Sequence, residues 1–185
     1  MGSAGGDFPP DVILRARAIG EQIAEHDCFI VTGACPGLPQ QAVLGYKSRG
    51  GFAVGISPAL CLDEHIQGYH SPWEEYDVLI FTGSGLMGRE IEAIRSCDIV
   101  IILGGRSGTL GEFSIAYDEG KLIGVLLGTD GIAEHIPDIV KAVNKETGAE
   151  VFYDEDPRAL IDRCVAAFER RKQEGTAYRL PARDG

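Results

Sequence analysis

The sequence predicts an α/β fold in which a parallel β-sheet is covered by helices on both faces. Three observations support this prediction. Short apolar runs alternate along the chain with segments of helical apolar spacing. The 185 residues are 44% hydrophobic and 24% charged, which suits a single domain with a sizeable core. Glycine-containing loops follow three of the predicted strands, and sheets of this kind bind ligands at the carboxyl ends of their strands.

Six short apolar runs predict the strands. The run DIVIIL is typical of them, because it is rich in β-branched residues and unbroken by polar ones, as a strand buried on both faces requires. The predicted strands cover residues 28–32, 52–56, 77–81, 98–103, 122–127 and 150–153.

Helices are predicted between the strands, where apolar residues recur three and four positions apart. In the first of them, Ile13, Ala16, Ile19 and Ile23 are expected to face the core. The predicted helices cover residues 10–26, 39–48, 86–97, a segment from the 104–109 turn to about 119, residues 131–145 and a last amphipathic segment at 160–168.

Two segments fall outside this alternation. Residues 57–76 form a long irregular stretch with His65, His70 and Trp73, which is either a lid over a site at the sheet edge or plain surface. Residues 173–185 lack an apolar period and are predicted to form a flexible C-terminal tail.

The net charge argues against nucleic acid as a partner, and the cysteines argue against a metal site. A net charge of −11 would repel a polyanion, so neither DNA nor RNA is an expected partner, although a local pocket can still bind a small phosphate. The five cysteines are odd in number and form no CxxC pair, so buried reduced thiols are expected and a metal site is not. These cysteines are Cys28, Cys35, Cys61, Cys97 and Cys164.

No membrane or export segment is expected. The chain has no apolar run of about 20 residues, and its start, MGSAGGDFPP, lacks the basic and apolar regions of a signal peptide. We therefore expect a cytoplasmic protein with no membrane partner.

Glycine-rich loops at 33–38, 82–88 and 104–109 predict an anion-binding crevice. Glycine lets the backbone approach a ligand, and the following helix supplies unpaired N–H donors and a positive dipole end. The alternative is that each glycine only permits a tight turn from strand to helix. The candidate phosphate-binding residues are Gly33, Pro36, Gly37, Gly83, Gly85, Gly104, Gly105, Arg106, Ser107, Gly108 and Thr109.

Common nucleotide motifs do not fit these loops. GxxxxGK[ST] is missing from the sequence, and the 82–88 loop does not place GxGxxG in register with a later ribose-binding acid. Thr109 and Glu112 also fit a capping box, which would explain both residues without chemistry. Arg89 is likewise either a surface residue, an ion-pair partner of Glu90 or Glu92, or a functional group.

A family resemblance adds to this. Arg89 precedes Asp98 by nine residues, and GGRSGTLGE begins six residues later. This spacing resembles the signature of the LONELY GUY (LOG) family, also named for lysine decarboxylase, with its arginine-bearing helix, strand and PGGxGTxxE motif. AIGEQIA, VTGACPGLPQQA and GGFAVGISP resemble the family's earlier half. The likeness spans about residues 3–130 and points to the bacterial branch related to DprA and to molybdenum-cofactor carriers.

The resemblance implies a nucleotide-binding Rossmann-like fold, a doubly wound parallel sheet in three α/β/α layers. Because the apolar period ends before residue 173, we expect this domain to cover residues 1–172. The resemblance also implies a homodimer or higher homo-oligomer without metal or cofactor. Active members hydrolyse nucleoside 5′-monophosphates to free base and ribose 5-phosphate. Carried over, Arg89 and Glu112 are the catalytic residues, and Gly105, Gly108 and Thr109 lie in the phosphate-binding turn.

Departures from the family motif leave an alternative open. Gly104 replaces the leading proline, and Arg106 replaces the second glycine. The alternative to hydrolysis is a non-catalytic carrier or sensor that holds a phosphorylated ligand, such as a pterin cofactor or a signalling nucleotide, in the same crevice. Ser3 to Gly6, if native, would complete this crevice, although no strand pattern precedes it as in family members.

Overall fold

The computed structural model describes residues 1–177, and its strands and helices alternate as predicted. The strands are β1 Ile30–Thr32, β2 Ala53–Ser57, β3 Val78–Phe81, β4 Ile99–Leu103, β5 Leu122–Leu126 and β6 Glu150–Asp154. The α-helices are α1 Pro10–Glu25, α2 Leu38–Ser48, α3 Gly85–Arg95, α4 Ser107–Asp118, α5 Ile136–Val143 and α6 Pro157–Gln173. A π-helical turn at Glu64–Gly68 and a 3-10 turn at Gly131–His135 complete the order.

All strand pairings are parallel, which confirms the predicted α/β fold of one domain. The strands form two three-stranded sheets, in the orders β1-β2-β3 and β4-β5-β6. The N-terminal segment lies alongside β4, where Gly2 bridges to Leu103 and the Ser3 amide donates to the Leu103 carbonyl at 3.1 Å. On its other side, the Ser3 carbonyl accepts from the amide of Leu38 at the start of α2. Residues 1–3 therefore link β4 to the start of α2.

Helices pack on both faces and make three layers. One apolar cluster joins α1, α2 and α6 through residues such as Ile19, Leu38 and Leu160. The other joins α3, α4 and α5 through Ile94, Phe113 and other buried side chains. Side chains of β4 and β5 belong to both clusters, so this sheet is buried on both faces, as its continuous apolar sequence predicts.

The contact between α1 and α2 depends on glycine. A Cβ added at Gly20 would lie 1.8 Å from the carbonyl oxygen of Ala42, and one added at Gly45 would lie 2.0 Å from that of Arg17. Both obstacles are backbone atoms of a facing helix, so neither can rotate aside. The two helices can approach this closely only because both positions lack a side chain.

We expect Gly20→Ala to destabilise the protein by about 2 kcal/mol, because overpacking against backbone outweighs the roughly 1 kcal/mol that alanine gains in a helix. Urea unfolding measures the change. Gly111→Ala in α4 is the matched control, since its nearest obstacle lies 3.4 Å away, and it should be neutral or stabilising. Equal unfolding free energies for wild type and Gly20→Ala would contradict the packing argument.

The predictions for the cysteines, for the C-terminal tail and for membrane-spanning segments compare with the structure as follows. All five cysteines are free thiols, but only Cys164 is buried, while Cys28, Cys35 and Cys97 are partly buried and Cys61 is exposed. The tail predicted at 173–185 begins at the last residue of α6, and its residues 178–185 lie outside the described part of the chain, so the 1–172 boundary stays a prediction. Within residues 1–177, none of the helices combines the length and apolar character needed to span a bilayer.

Candidate functional site

A cavity of about 260 Å³ opens at the carboxyl ends of β1 and β4. Its walls are the N-terminal segment, the loop after β1, the first half of α3 and the first half of α4. Of the predicted site residues, it is lined by Gly33, Arg89, Arg106, Gly108, Thr109 and Glu112. The residues that do not line it are Pro36, Gly37, Gly83, Gly85, Gly104, Gly105 and Ser107. Two of the three predicted loops thus contribute candidate residues, while the 82–88 loop contributes only Leu86, which lies on α3 and was not among the candidates.

Arg89 lies buried in the cavity wall and has no partner. Its residue is 8% exposed, and among residues 1–177 the guanidinium makes no ion pair, while its Nε has no hydrogen-bond acceptor. Gly33 makes room for it, since a Cβ there would lie 1.5 Å from Nη1. The interpretations of Arg89 as a surface residue or as an ion-pair partner of Glu90 or Glu92 are therefore wrong.

Glu112 reaches the cavity from α4 and is 7% exposed. Burial raises the pKa of its carboxyl, and the chain's amino terminus and the Arg89 guanidinium partly oppose that rise. The capping-box interpretation is wrong, because α4 begins at Ser107 with Arg106 as its N-cap, and no side chain caps it. Thr109 is thus the third helical residue, and Glu112 is left free to face the cavity.

Glu90 is a cavity residue that sequence analysis considered only as an ion-pair partner. It is 9% exposed, and burial together with the neighbouring Glu112 raises the pKa of its carboxyl, against the effect of Arg89. Two adjacent helical residues rarely both face inward, so periodicity gave no signal for it. The cavity therefore holds two buried carboxyls and one buried guanidinium.

The two buried carboxyls should make stability fall with rising pH. A folded-state pKa above the ordinary 4.5 contributes stability that is complete below that value and is lost as pH rises through the raised pKa. We expect Glu112→Gln to be more stable than wild type at pH 7, with the difference shrinking toward pH 4. Urea unfolding across this range measures it, with the exposed Glu92→Gln as control. A difference that grows on acidification would contradict the assignment.

Some backbone amides around the start of α4 are hydrogen-bonded within the protein, and others are free. Gly104 donates to Thr129 Oγ1 at 2.8 Å and Gly105 donates to Ser3 Oγ at 2.7 Å, and both glycines have positive φ. Their amides are engaged, which favours the turn-forming role for these two residues. The first helical bond of α4 comes from the Leu110 amide to the Arg106 carbonyl, so the amides of residues 107–109 have no partner within the described chain.

The remaining candidates lie elsewhere or differ from expectation. His65 is fully buried, so the surface interpretation is wrong for it; its Nδ1 lies 2.8 Å from Ser57 Oγ and its Nε2 3.0 Å from the Pro72 carbonyl oxygen. These bonds hold the irregular stretch in place, and the stretch does not line the cavity. His70 and Trp73 are exposed. Ser3 does line the cavity, as does Cys35, whose pKa burial raises.

Comparison with known proteins places this geometry in context. The model of the SLOG cluster4 family matches residues 1–161. An uncharacterized protein of Archaeoglobus fulgidus is 33% identical over 124 residues, which cover 65% of this chain and 74% of that protein.

Solved structures share the fold at lower identity. The molybdenum cofactor carrier protein of Chlamydomonas reinhardtii superposes with a TM-score of 0.68 at 23% identity, covering 90% of this chain and 96% of that one. DNA processing protein A of Helicobacter pylori, described with a single-stranded DNA binding mode, superposes with a TM-score of 0.59 at 18% identity, covering 90% of this chain and 79% of that one.

Within residues 1–177, no cluster of His, Cys, Asp and Glu side chains could hold a metal ion.

Proposed function

The chain belongs to the SLOG cluster4 family, a relative of the LOG family that its motifs resemble, and on this premise we propose that it binds a small phosphorylated ligand. The ligand occupies the cavity between the start of α4 and the buried face of α3. A nucleotide is the expected class.

The buried and unpaired guanidinium of Arg89 carries this proposal. A charge out of water and without a partner costs several kcal/mol, so such a group is retained where a counter-ion binds. The carboxyls of Glu90 and Glu112 line the same cavity, and within residues 1–177 neither forms an ion pair with Arg89. Two of the residues with free amides at the start of α4, Gly108 and Thr109, line the same cavity, and a helix N-terminus favours negative charge. Together they suit a phosphoryl group.

A non-catalytic carrier or sensor is the form of this function that we favour. The fold is shared with a molybdenum cofactor carrier protein over nearly the whole of both chains. The free amides of Gly108 and Thr109 are also able to hold an anion through the backbone, which requires no reaction.

Hydrolysis of a nucleoside 5′-monophosphate is the second candidate, and Glu112 favours it. N-glycosidic cleavage develops positive charge on the ribose ring, which a nearby carboxylate stabilises while it directs a water molecule. Glu112 and Arg89 line one cavity, so the two residues that the LOG resemblance names as catalytic are brought together.

Incubation with AMP separates the two candidates. We expect AMP and inorganic phosphate to bind, as measured by calorimetry, with no adenine released over hours. Glu112→Gln should retain phosphate binding. Adenine release that Glu112→Gln abolishes would establish the hydrolase instead, and failure to bind phosphate or any monophosphate would contradict the proposed function itself.

Self-association is a further part of the proposal. Beside the cavity, α3 exposes Leu86, Met87 and Ile91, and apolar side chains exposed together are what a second copy would cover. A homodimer or higher homo-oligomer is expected, and light scattering that finds a monomer at every concentration would contradict it. The net charge of −11 supports leaving DNA and RNA outside the proposal.

A further inference from the structure

Glu112 lies one helical turn after two of the free amides at the start of α4. Gly108 and Thr109 precede it by four and three residues, and positions with these spacings share one face of a helix. Side chains of a helix lean toward its N-terminus, so the carboxyl of Glu112 is directed toward these two residues. All three residues line the same cavity. An anion held by the two amides would therefore have this carboxyl as its neighbour.

A second carboxyl, that of Glu90, reaches the same turn of α4 from α3. A Cβ added at Gly108 would lie 3.3 Å from its Oε1, and one added at Gly111 would lie 3.4 Å from its Oε2. Glu90 and Glu112 are 9% and 7% exposed, and both line the cavity. An anion would thus enter a space that already holds two acids with little access to water.

Other titratable and charged groups also face Glu112 across the cavity. The amino terminus and Arg89 favour its ionised form, but burial outweighs them, so the pKa of the carboxyl is raised in the ligand-free protein. Burial also raises the pKa of the Cys35 thiol, which therefore adds no negative charge near neutral pH. The cavity residues that carry these groups are Met1, Cys35, Arg89, Glu90 and Arg106.

A bound dianion would disfavour the ionised form of Glu112 further. Like charges side by side repel each other, and they do so more strongly where water is scarce, so a neighbouring anion raises the pKa of a carboxyl. A protonated carboxyl instead donates an O–H···O hydrogen bond to the anion, and such charge-assisted bonds are short and strong. The anion and the proton therefore each favour binding of the other.

We propose that the site takes up its anion together with a proton, which Glu112 holds and donates to the anion. The site then selects fully ionised phosphoryl groups, and it binds them more tightly as the pH falls. This inference rests on the proposed function, because it requires an anion at the start of α4. It makes Glu112 a hydrogen-bond donor to the anion, whereas the hydrolase candidate needs its carboxylate beside the ribose.

Calorimetry with sulfate on the full chain tests the inference. Sulfate has the shape of a phosphoryl group and keeps both of its charges from pH 8 to pH 5, so it neither brings nor takes a proton. Titrations in buffers of different ionisation enthalpy give the number of protons taken up with each anion. The variants are Glu112→Gln, whose amide donates at every pH, and Glu90→Gln. The exposed Glu92→Gln of α3 is the matched control for charge.

In wild type and Glu92→Gln, the sulfate dissociation constant should fall by about 10- to 100-fold from pH 8 to pH 5, the size of effect that one neighbouring charge has on a buried carboxyl. Proton uptake should accompany binding in this range. In Glu112→Gln the uptake should vanish and the constant should change less than about two-fold, because no proton is needed. At pH 8 this variant should bind sulfate more tightly than wild type, which is not expected of a residue that only supports the fold. Glu90→Gln should keep the uptake.

Proton uptake that Glu112→Gln leaves unchanged, or that Glu90→Gln alone abolishes, would overturn the inference. A wild-type sulfate affinity that stays constant or weakens as the pH falls would also overturn it. So would binding of inorganic phosphate without binding of sulfate at any pH, because the site would then accept a proton from phosphate instead of donating one. In each case an anion still binds and the proposed function stands. If sulfate, inorganic phosphate and AMP all fail to bind, the proposed function fails and this inference fails with it.

Discussion

Arg89→Met should weaken binding of inorganic phosphate and of AMP by about 100-fold or more, while the ligand-free protein keeps or gains stability. Removing one partner of a buried charge pair costs 2–5 kcal/mol, which sets the size of the expected loss. Within residues 1–177 of the ligand-free protein the guanidinium has no partner to lose, so methionine removes an unpaired buried charge and keeps apolar packing. Calorimetry gives the dissociation constants, and urea unfolding without ligand gives the stability.

Arg95→Met is the matched control for that variant. Arg95 lies on the same helix, is largely exposed and pairs with Glu119 at 2.7 Å, so its loss should change the phosphate dissociation constant less than two-fold. If Arg89→Met bound phosphate as wild type does, Arg89 would not be the anion's partner. A loss of several kcal/mol in ligand-free stability would show that it has a structural role.

The fold was largely predictable because its signals are local. The β4 and β5 runs are continuous and β-branched, and such runs have few conformations open to them other than a strand buried on both faces. Helix α1 was predicted within one residue at its C-terminal end, since its apolar residues keep the helical period. The division of the strands into two sheets was not predictable, because apolar runs indicate where strands form but not which strands pair.

The site was predictable in part, and the wrong predictions about its residues share a cause. Which amide or carboxyl stays free depends on the exact residue at which a helix begins, and this is the least certain feature of any sequence-based assignment. Because α4 begins at Ser107 rather than after Thr109, Thr109 and Glu112 lie inside the helix and face the cavity instead of forming a capping box. Glu90 was not predicted as a cavity residue because its carboxyl lies beside Gly108 and Gly111 of another helix, which no local pattern connects to α3.

Gly33→Ala should weaken phosphate binding by about 30-fold with little change in fold. The new Cβ would lie 1.5 Å from Nη1 and 2.2 Å from Cζ of Arg89, so the whole guanidinium must leave its place. The φ of Gly33 is not positive, so alanine fits the backbone itself. Because the obstacle is the end of a flexible side chain, the guanidinium moves and the fold remains. Calorimetry with inorganic phosphate measures the loss.

A double-mutant cycle decides whether Gly33 acts through Arg89. If its only contribution is the space for the guanidinium, adding Gly33→Ala to Arg89→Met should change the phosphate dissociation constant by less than two-fold, because the group it displaces is already gone. Gly5→Ala is the control, since an added Cβ meets nothing within 4 Å at this other cavity residue. Additive losses in the double variant would mean that the backbone of Gly33 contacts the ligand directly. The space needed by Arg89 would then be only part of the reason for a glycine at position 33.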